Sequence, residues 1–166
     1  PTNMAINGHG YNTGYGALHF SGSSDSCASD ITVASDSKIQ RDANTTTLTG
    51  DITGPGDLTF ESASGGFDLD GAYNFAISGA AGNKIVADSG TVNITDATLV
   101  VTGEGTAIGA EIVVIDFSGS GSVSGEFTAV NDLAAGWSID YDGTPSNLDS
   151  VVLIKSLPAG TLVYVR

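Results

Sequence analysis

The chain has 166 residues, 40% of them hydrophobic and only 14% charged, with 19 Asp and Glu against 5 Lys and Arg for a net charge of −14. That length predicts one domain with a sizeable core. The five cations, Lys38, Arg41, Lys84, Lys155 and Arg166, are too scattered to form the basic patch that nucleic acid or an anionic membrane surface needs, and no apolar run is long enough for membrane insertion as a helix.

Residues 1–20 are rich in Gly and Asn and carry Tyr11, Tyr15, His19 and Phe20. They read as an N-terminal arm or a poorly specified first strand. His9 and His19 are the only histidines, ten residues apart. A metal pair is conceivable there, but isolated surface or packing histidines are the plainer reading. Serines from Ser23 to Ser29 lack the G-x-S-x-G elbow of acyl transfer. Cys27, the single cysteine, excludes an internal disulfide and a zinc cluster; it reads as a small buried or half-buried thiol, or as one half of an intermolecular bond.

Short β-type segments of about three to six residues then run from Ile31 to Ile154, their starts roughly eight to ten residues apart, with nothing left for a helix. Apolar residues alternate within them, as in Ile31/Val33, Leu58/Phe60, Phe67/Leu69, Phe75/Ile77, Val92/Ile94, Leu99/Val101, Val113/Ile115/Phe117, Ile139/Tyr141 and Val152/Ile154. Such alternation turns one face of each strand toward a core. Gly, Asn, Asp and Ser clusters punctuate the segments, and 23 glycines suit a fold with many tight turns. Three strand-turn units make a coil of roughly 24–27 residues, the size of one layer of a three-sided solenoid. Short strands gain stability when neighbours stack at about 4.8 Å. The predicted fold is therefore all-β: a right-handed parallel β-solenoid (β-helix) over 21–110, with an antiparallel C-terminal cap over 111–155. A β-sandwich is the alternative.

Within 111–155, Glu111 to Phe117 reads as the longest strand, and Trp137 and Phe127 are expected to cover the open end of the coil. Residues 156–166 hold one more β-type run, Thr161, Leu162, Val163, Tyr164 and Val165, placed to pair at home or with a neighbouring molecule. A start at Pro1 reads as a mature or trimmed piece of a longer precursor.

Asp68 and Asp70, like Asp140 and Asp142, sit two apart on a strand and so share a face. Solvated outer-face aspartates are the plain reading, and sugar hydrolysis by paired carboxylates is weighed against it. No catalytic residue and no resident cofactor are expected. Calcium is the one metal considered, with Asp140, Asp142 and Asp149 as oxygen donors near turns. Asn44-Thr45-Thr46 and Asn93-Ile94-Thr95 match the glycosylation pattern.

Two stretches resemble a known family. Gly16-Ala17-Leu18, Asp30-Ile31-Thr32-Val33, Ser37-Lys38-Ile39, Thr47-Leu48-Thr49-Gly50-Asp51-Ile52-Thr53-Gly54, Gly56-Asp57-Leu58-Thr59-Phe60 and Phe67-Asp68-Leu69-Asp70-Gly71-Ala72-Tyr73-Asn74 resemble the autotransporter-associated β-strand repeat. Val114-Ile115-Asp116-Phe117, Gly125-Glu126-Phe127, Trp137-Ser138-Ile139-Asp140-Tyr141 and Val151-Val152-Leu153 resemble the cap that ends such regions in large bacterial surface proteins. The resemblance covers about three quarters of the chain, and the chain departs from the family in lacking a membrane-barrel segment. It implies a right-handed β-helix, secretion, and a role in adhesion or surface structure, with no shared catalytic residues. The expected protein is thus secreted, extracellular or at the cell surface, and non-enzymatic. Its expected partners are copies of itself in an oligomer or filament and a surface polysaccharide. A carbohydrate-binding or carbohydrate-active β-helix is the alternative.

Overall fold

Alternating apolar residues become strands wherever a neighbouring strand can close their backbone hydrogen bonds. The computed structural model describes residues 2–10, 15–79, 81–105, 110–117, 119–141 and 149–156. These are all-β, with about two thirds of the described residues in strands and no helix among them, and the strands join in one mixed sheet curled into a half-barrel.

Three parallel ladders carry most of that sheet. In the first, β1 (Asn3–Gly8) pairs with the start of β4 (Asp30–Arg41), followed by β6 (Ile52–Thr53), β8 (Ala72–Gly79), β11 (Thr98–Gly105) and β14 (Ala129–Asn131). In the second, β2 (Leu18–Phe20) is followed by the end of β4, then by β7 (Leu58–Leu69), β10 (Ile85–Asn93) and β12 (Glu111–Asp116). In the third, β3 (Asp25–Cys27) is followed by β5 (Thr45–Leu48), the end of β7, the end of β10 and β13 (Ser122–Ser124). Paired residues lie between 21 and 31 positions apart, as in Ile39↔Phe60 and Val92↔Val123. The spacing is 21 where β2 to β6 pair with the strand that follows them in their ladder, shorter than the expected 24–27, but 25–28 between β7 and β10 and 26 between β8 and β11.

Strands of three to six residues were the expectation, yet β4 and β7 run for twelve. Each changes ladder at a bend where three residues in a row are exposed: Ala34-Ser35-Asp36 in β4 and Ala63-Ser64-Gly65 in β7. Alternation stops at the bend and resumes beyond it, so the sequence pattern reads as two short strands. The backbone pairs with neighbours on both sides of the bend, so the strand is one.

The inward residues of the ladders, among them Ile31, Ile39, Leu58, Phe60, Phe67, Phe75, Ile85, Val92 and Leu99, form one buried cluster. Phe60 and Phe67 meet across a bend with ring centroids 4.6 Å apart. Each such side chain contributes about 1.5–3 kcal/mol through burial.

Within 111–155 the pairing is mixed rather than wholly antiparallel: β12, β13 and β14 continue the parallel ladders, and only the last strands pair antiparallel. The strand β16 (Ser150–Lys155) lies between β12 and β15 (Trp137–Asp140). These strands are four to six residues long, so Glu111–Asp116 is not the longest. Of the expected inward set Val113/Ile115/Phe117, Ile115 is buried, but Val113 and Phe117 are only half-buried, and Ile112 and Val114 are buried in their place. An irregularity in register between Val113 and Ile115 turns two consecutive residues inward. In β16, Val151, Val152 and Leu153 are all buried, consistent with strands on both sides and a core beneath. Phe127 is in the core and Trp137 packs against it, with Lys155 Nζ 5.5 Å from the indole centroid.

The short strand β9 (Ala81–Gly82) folds back antiparallel on β8. Buried Asn83 anchors this excursion: its Oδ1 accepts from Ala76 N at 2.6 Å, its Nδ2 donates to Asn74 O at 3.2 Å, and its own carbonyl accepts from the Tyr73 hydroxyl. Burial, reinforced by Asp57, pushes the Tyr73 phenol well above its ordinary value of 10.0. The folded state thus resists ionisation more than the unfolded chain does. Stability tied to Tyr73 is complete below pH 10 and falls as pH rises beyond it. Alkaline unfolding followed by circular dichroism is expected to shift to higher pH in Tyr73→Phe, and an unchanged alkaline limb would refute this.

Candidate functional site

Carboxylates on the ladder bends are used as backbone caps. Asp30 Oδ1 accepts from Asp51 N at 3.0 Å, and Asp51 Oδ1 accepts from Ala72 N at 3.0 Å. Asp36 Oδ1 accepts from Asp57 N at 3.0 Å, and Asp57 Oδ1 accepts from Lys84 N at 2.9 Å. Each side chain thereby ties one strand to the next at a bend where the regular ladder is interrupted, and a charged acceptor strengthens the bond. Sequence reasoning gave these aspartates no capping role. The missed signal is an internal repeat: Asp30-Ile31-Thr32 recurs as Asp51-Ile52-Thr53, and Asp36 recurs as Asp57, in both cases 21 positions later.

A second cluster lies on the outer side of the second ladder. Alternation there sends Ile39 and Phe60 inward, which leaves their neighbours Gln40 and Glu61 outward and paired in register, with His19 beside Gln40. His19 Nε2 lies 2.8 Å from Asp42 Oδ1. The Tyr15 ring leans on the imidazole, with centroids 4.7 Å apart and planes at 52°. Lys38 Nζ donates to Glu61 Oε2 at 2.8 Å. Gln40 Oε1 is buried with no hydrogen-bond partner. Tyr15, at 49% exposure, is the large hydrophobic side chain left in water among the described residues. Of the two plain sequence readings, surface or packing, His19 fits the packing one, against Tyr15 and bonded to Asp42.

Comparison with protein-family models, curated proteins and solved structures finds no match to this chain.

The residues singled out from sequence are dispersed. Asp140 is half-buried on β15 and has an interaction partner, Asp149 is exposed, and its carbonyl accepts from Phe117 N at 2.9 Å. Asp142, the third calcium candidate, and Thr161, Leu162, Val163, Tyr164 and Val165 lie outside the described residues. Among the described residues no group of three or more His, Cys, Asp or Glu is placed to hold a metal ion, and no helix is long and apolar enough to cross a membrane. Phe67 and Leu69 are buried, which leaves Asp68 and Asp70 on the outer face. Asp68 accepts from Asn93 Nδ2 at 3.2 Å. Desolvation, followed by the charges of Asp96 and Asp68, holds the Asp70 carboxyl above its ordinary value. Asn93 Oδ1 accepts from Thr95 N and Thr95 Oγ1, so the side chain of this glycosylation-pattern asparagine is engaged within its own turn. Cys27 is half-buried on β3.

Proposed function

We propose that the three ladders are the sides of a right-handed parallel β-solenoid, and that the chain is a secreted, non-enzymatic structural or adhesive protein whose copies stack into an extracellular filament or surface layer. Three ladders with members in the same chain order, 21 to 31 residues apart, support a coil with three strands per layer. The observation that carries the functional reading is the state of the first layer. Among the described residues, β1 and β2 pair only with β4, and β3 pairs only with β5.

Among the described residues, each of these strands has one edge of backbone N–H and C=O groups without a strand partner. Proteins commonly blunt such edges with charges, proline or a covering segment. The β1 sequence, Asn3-Met4-Ala5-Ile6-Asn7-Gly8, contains no charge and no proline. At the other end, antiparallel β16 and β15 close the second ladder. An uncharged edge suits addition of an uncharged strand from another copy, and Thr161–Val165 is such a run. A head-to-tail contact of this kind does not close on itself, and so it builds a fibre. The resemblance to autotransporter-associated repeats supports secretion.

Negative-stain electron microscopy and light scattering of the full chain and of a chain lacking 156–166 test the reading. Filaments or large assemblies are expected from the full chain and their loss from the shortened one. Monodisperse monomers from both at high concentration would defeat it.

A further inference from the structure

The cluster around His19 is made of side chains on the outer face of the second ladder, whereas the stacking proposed above uses backbone edges. We infer that Tyr15, His19, Gln40 and Asp42, flanked by Lys38 and Glu61, form a binding subsite for a neutral polysaccharide. A lone exposed tyrosine needs no explanation by itself; the groups gathered beside it do.

A sugar ring has an apolar C–H face and a rim of hydroxyls that both donate and accept. A receptor for it needs an aromatic surface with a few convergent polar groups. Tyr15 provides the surface, held at a tilt by the imidazole 4.7 Å away. The imidazole is itself held by Asp42 at 2.8 Å, so the platform and the nearest acceptor are oriented together. Gln40 stands beside His19 in register and has an amide oxygen without a partner. Rotating that amide toward a ligand hydroxyl satisfies an atom that is unsatisfied in the free protein. Lys38 and Glu61, joined at 2.8 Å, add a donor and an acceptor one strand further on.

The row His19, Gln40, Glu61 advances by one strand spacing per residue, about 4.8 Å. This is close to the advance per sugar in an extended glycan, so successive sugars meet successive side chains. Charge selects among glycans. Glu61 is balanced locally by Lys38, whereas the whole chain carries −14 and repels polyanions.

Affinity gel electrophoresis of the full chain in gels containing hydroxyethyl cellulose, galactomannan, dextran or polygalacturonate tests the inference. Retardation by at least one of the three neutral polymers, and none by polygalacturonate, is expected. Tyr15→Ala is expected to weaken that retardation about tenfold in apparent dissociation constant. His19→Ala should weaken it as well, while Thr102→Ala on the first ladder should leave it unchanged. Far-ultraviolet circular dichroism establishes that each variant is folded, which is expected for Tyr15→Ala because half of that side chain is already in water. Absence of retardation by all three neutral polymers, retardation by polygalacturonate alone, or wild-type retardation of Tyr15→Ala would each overturn the subsite. Because the readout is ligand-dependent mobility, its failure does not bear on stacking.

Discussion

Gly65→Ala is expected to destabilise the fold by about 3–5 kcal/mol, a loss in the range caused by a backbone clash combined with a strained conformation. Gly65 lies at the bend of β7 with φ +105, where an L side chain is strained even in free space. A Cβ there would lie 1.7 Å from Asn44 O and 2.4 Å from Asn44 C. Both atoms are backbone, and Asn44 O also accepts from Gly66 N at 2.9 Å, so the neighbour cannot withdraw without breaking the ladder. Gly8→Ala provides the comparison. Gly8 has φ +77, but nothing lies within 4 Å of its added Cβ, so only the strain remains, about 1 kcal/mol. Urea unfolding of the two variants measures the difference. Equal losses would show that the close approach of neighbouring backbones is not what forces glycine at position 65.

Arg41→Ala is expected to cost about 3–5 kcal/mol, from the loss of a buried charged side chain and from the cavity that it leaves. Arg41 is fully buried, with 0% exposure, and is among the largest side chains inside the sheet. Its Nη1 donates to Asp25 Oδ2 at 3.1 Å and to the Thr46 hydroxyl, and its Nη2 donates to Gly22 O and Ser23 O at 3.2 Å each. One planar fork thus gathers the 22–25 turn and β5, a geometry that a lysine cannot reproduce. Removing it leaves the buried Thr46 hydroxyl without that donor. Asp25→Ala is expected to cost far less, about 1 kcal/mol, because the Asp25 side chain is 36% exposed and Arg41 keeps three neutral acceptors. Thermal and urea unfolding of both variants provide the test. An Arg41→Ala protein as stable as wild type would show that the guanidinium is not holding the turn.

The cations illustrate how far sequence reading reaches. Lys38, Lys84 and Lys155 stay half-buried or near the surface, in line with their composition class. Arg41 looks no different in the sequence, yet it occupies a core position because it is two residues beyond Ile39 on a strand whose alternation points inward. Period-two reading places position 41 inside, but prior expectation for arginine places it outside. The contest is settled by Asp25, the Thr46 hydroxyl and the carbonyls of Gly22 and Ser23, which accept from the two terminal nitrogens of the guanidinium. His19 is similar: its partner Asp42 is 23 positions away and is brought near only because β2 pairs with the end of β4.

The sequence alone determined the all-β character and the inward set of the central strands. These follow from the period of two between apolar residues and from turn residues that act within a few positions. Tertiary structure decided that two apparent pairs of short strands are the twelve-residue β4 and β7, that Val114 rather than Val113 is buried, and that His19 meets Asp42. It also decided which aspartates cap the bends. Each of these depends on hydrogen bonds between residues at least 21 positions apart, or on a register irregularity between such strands, and hydrogen bonding across that distance leaves no imprint on the local alternation of side chains.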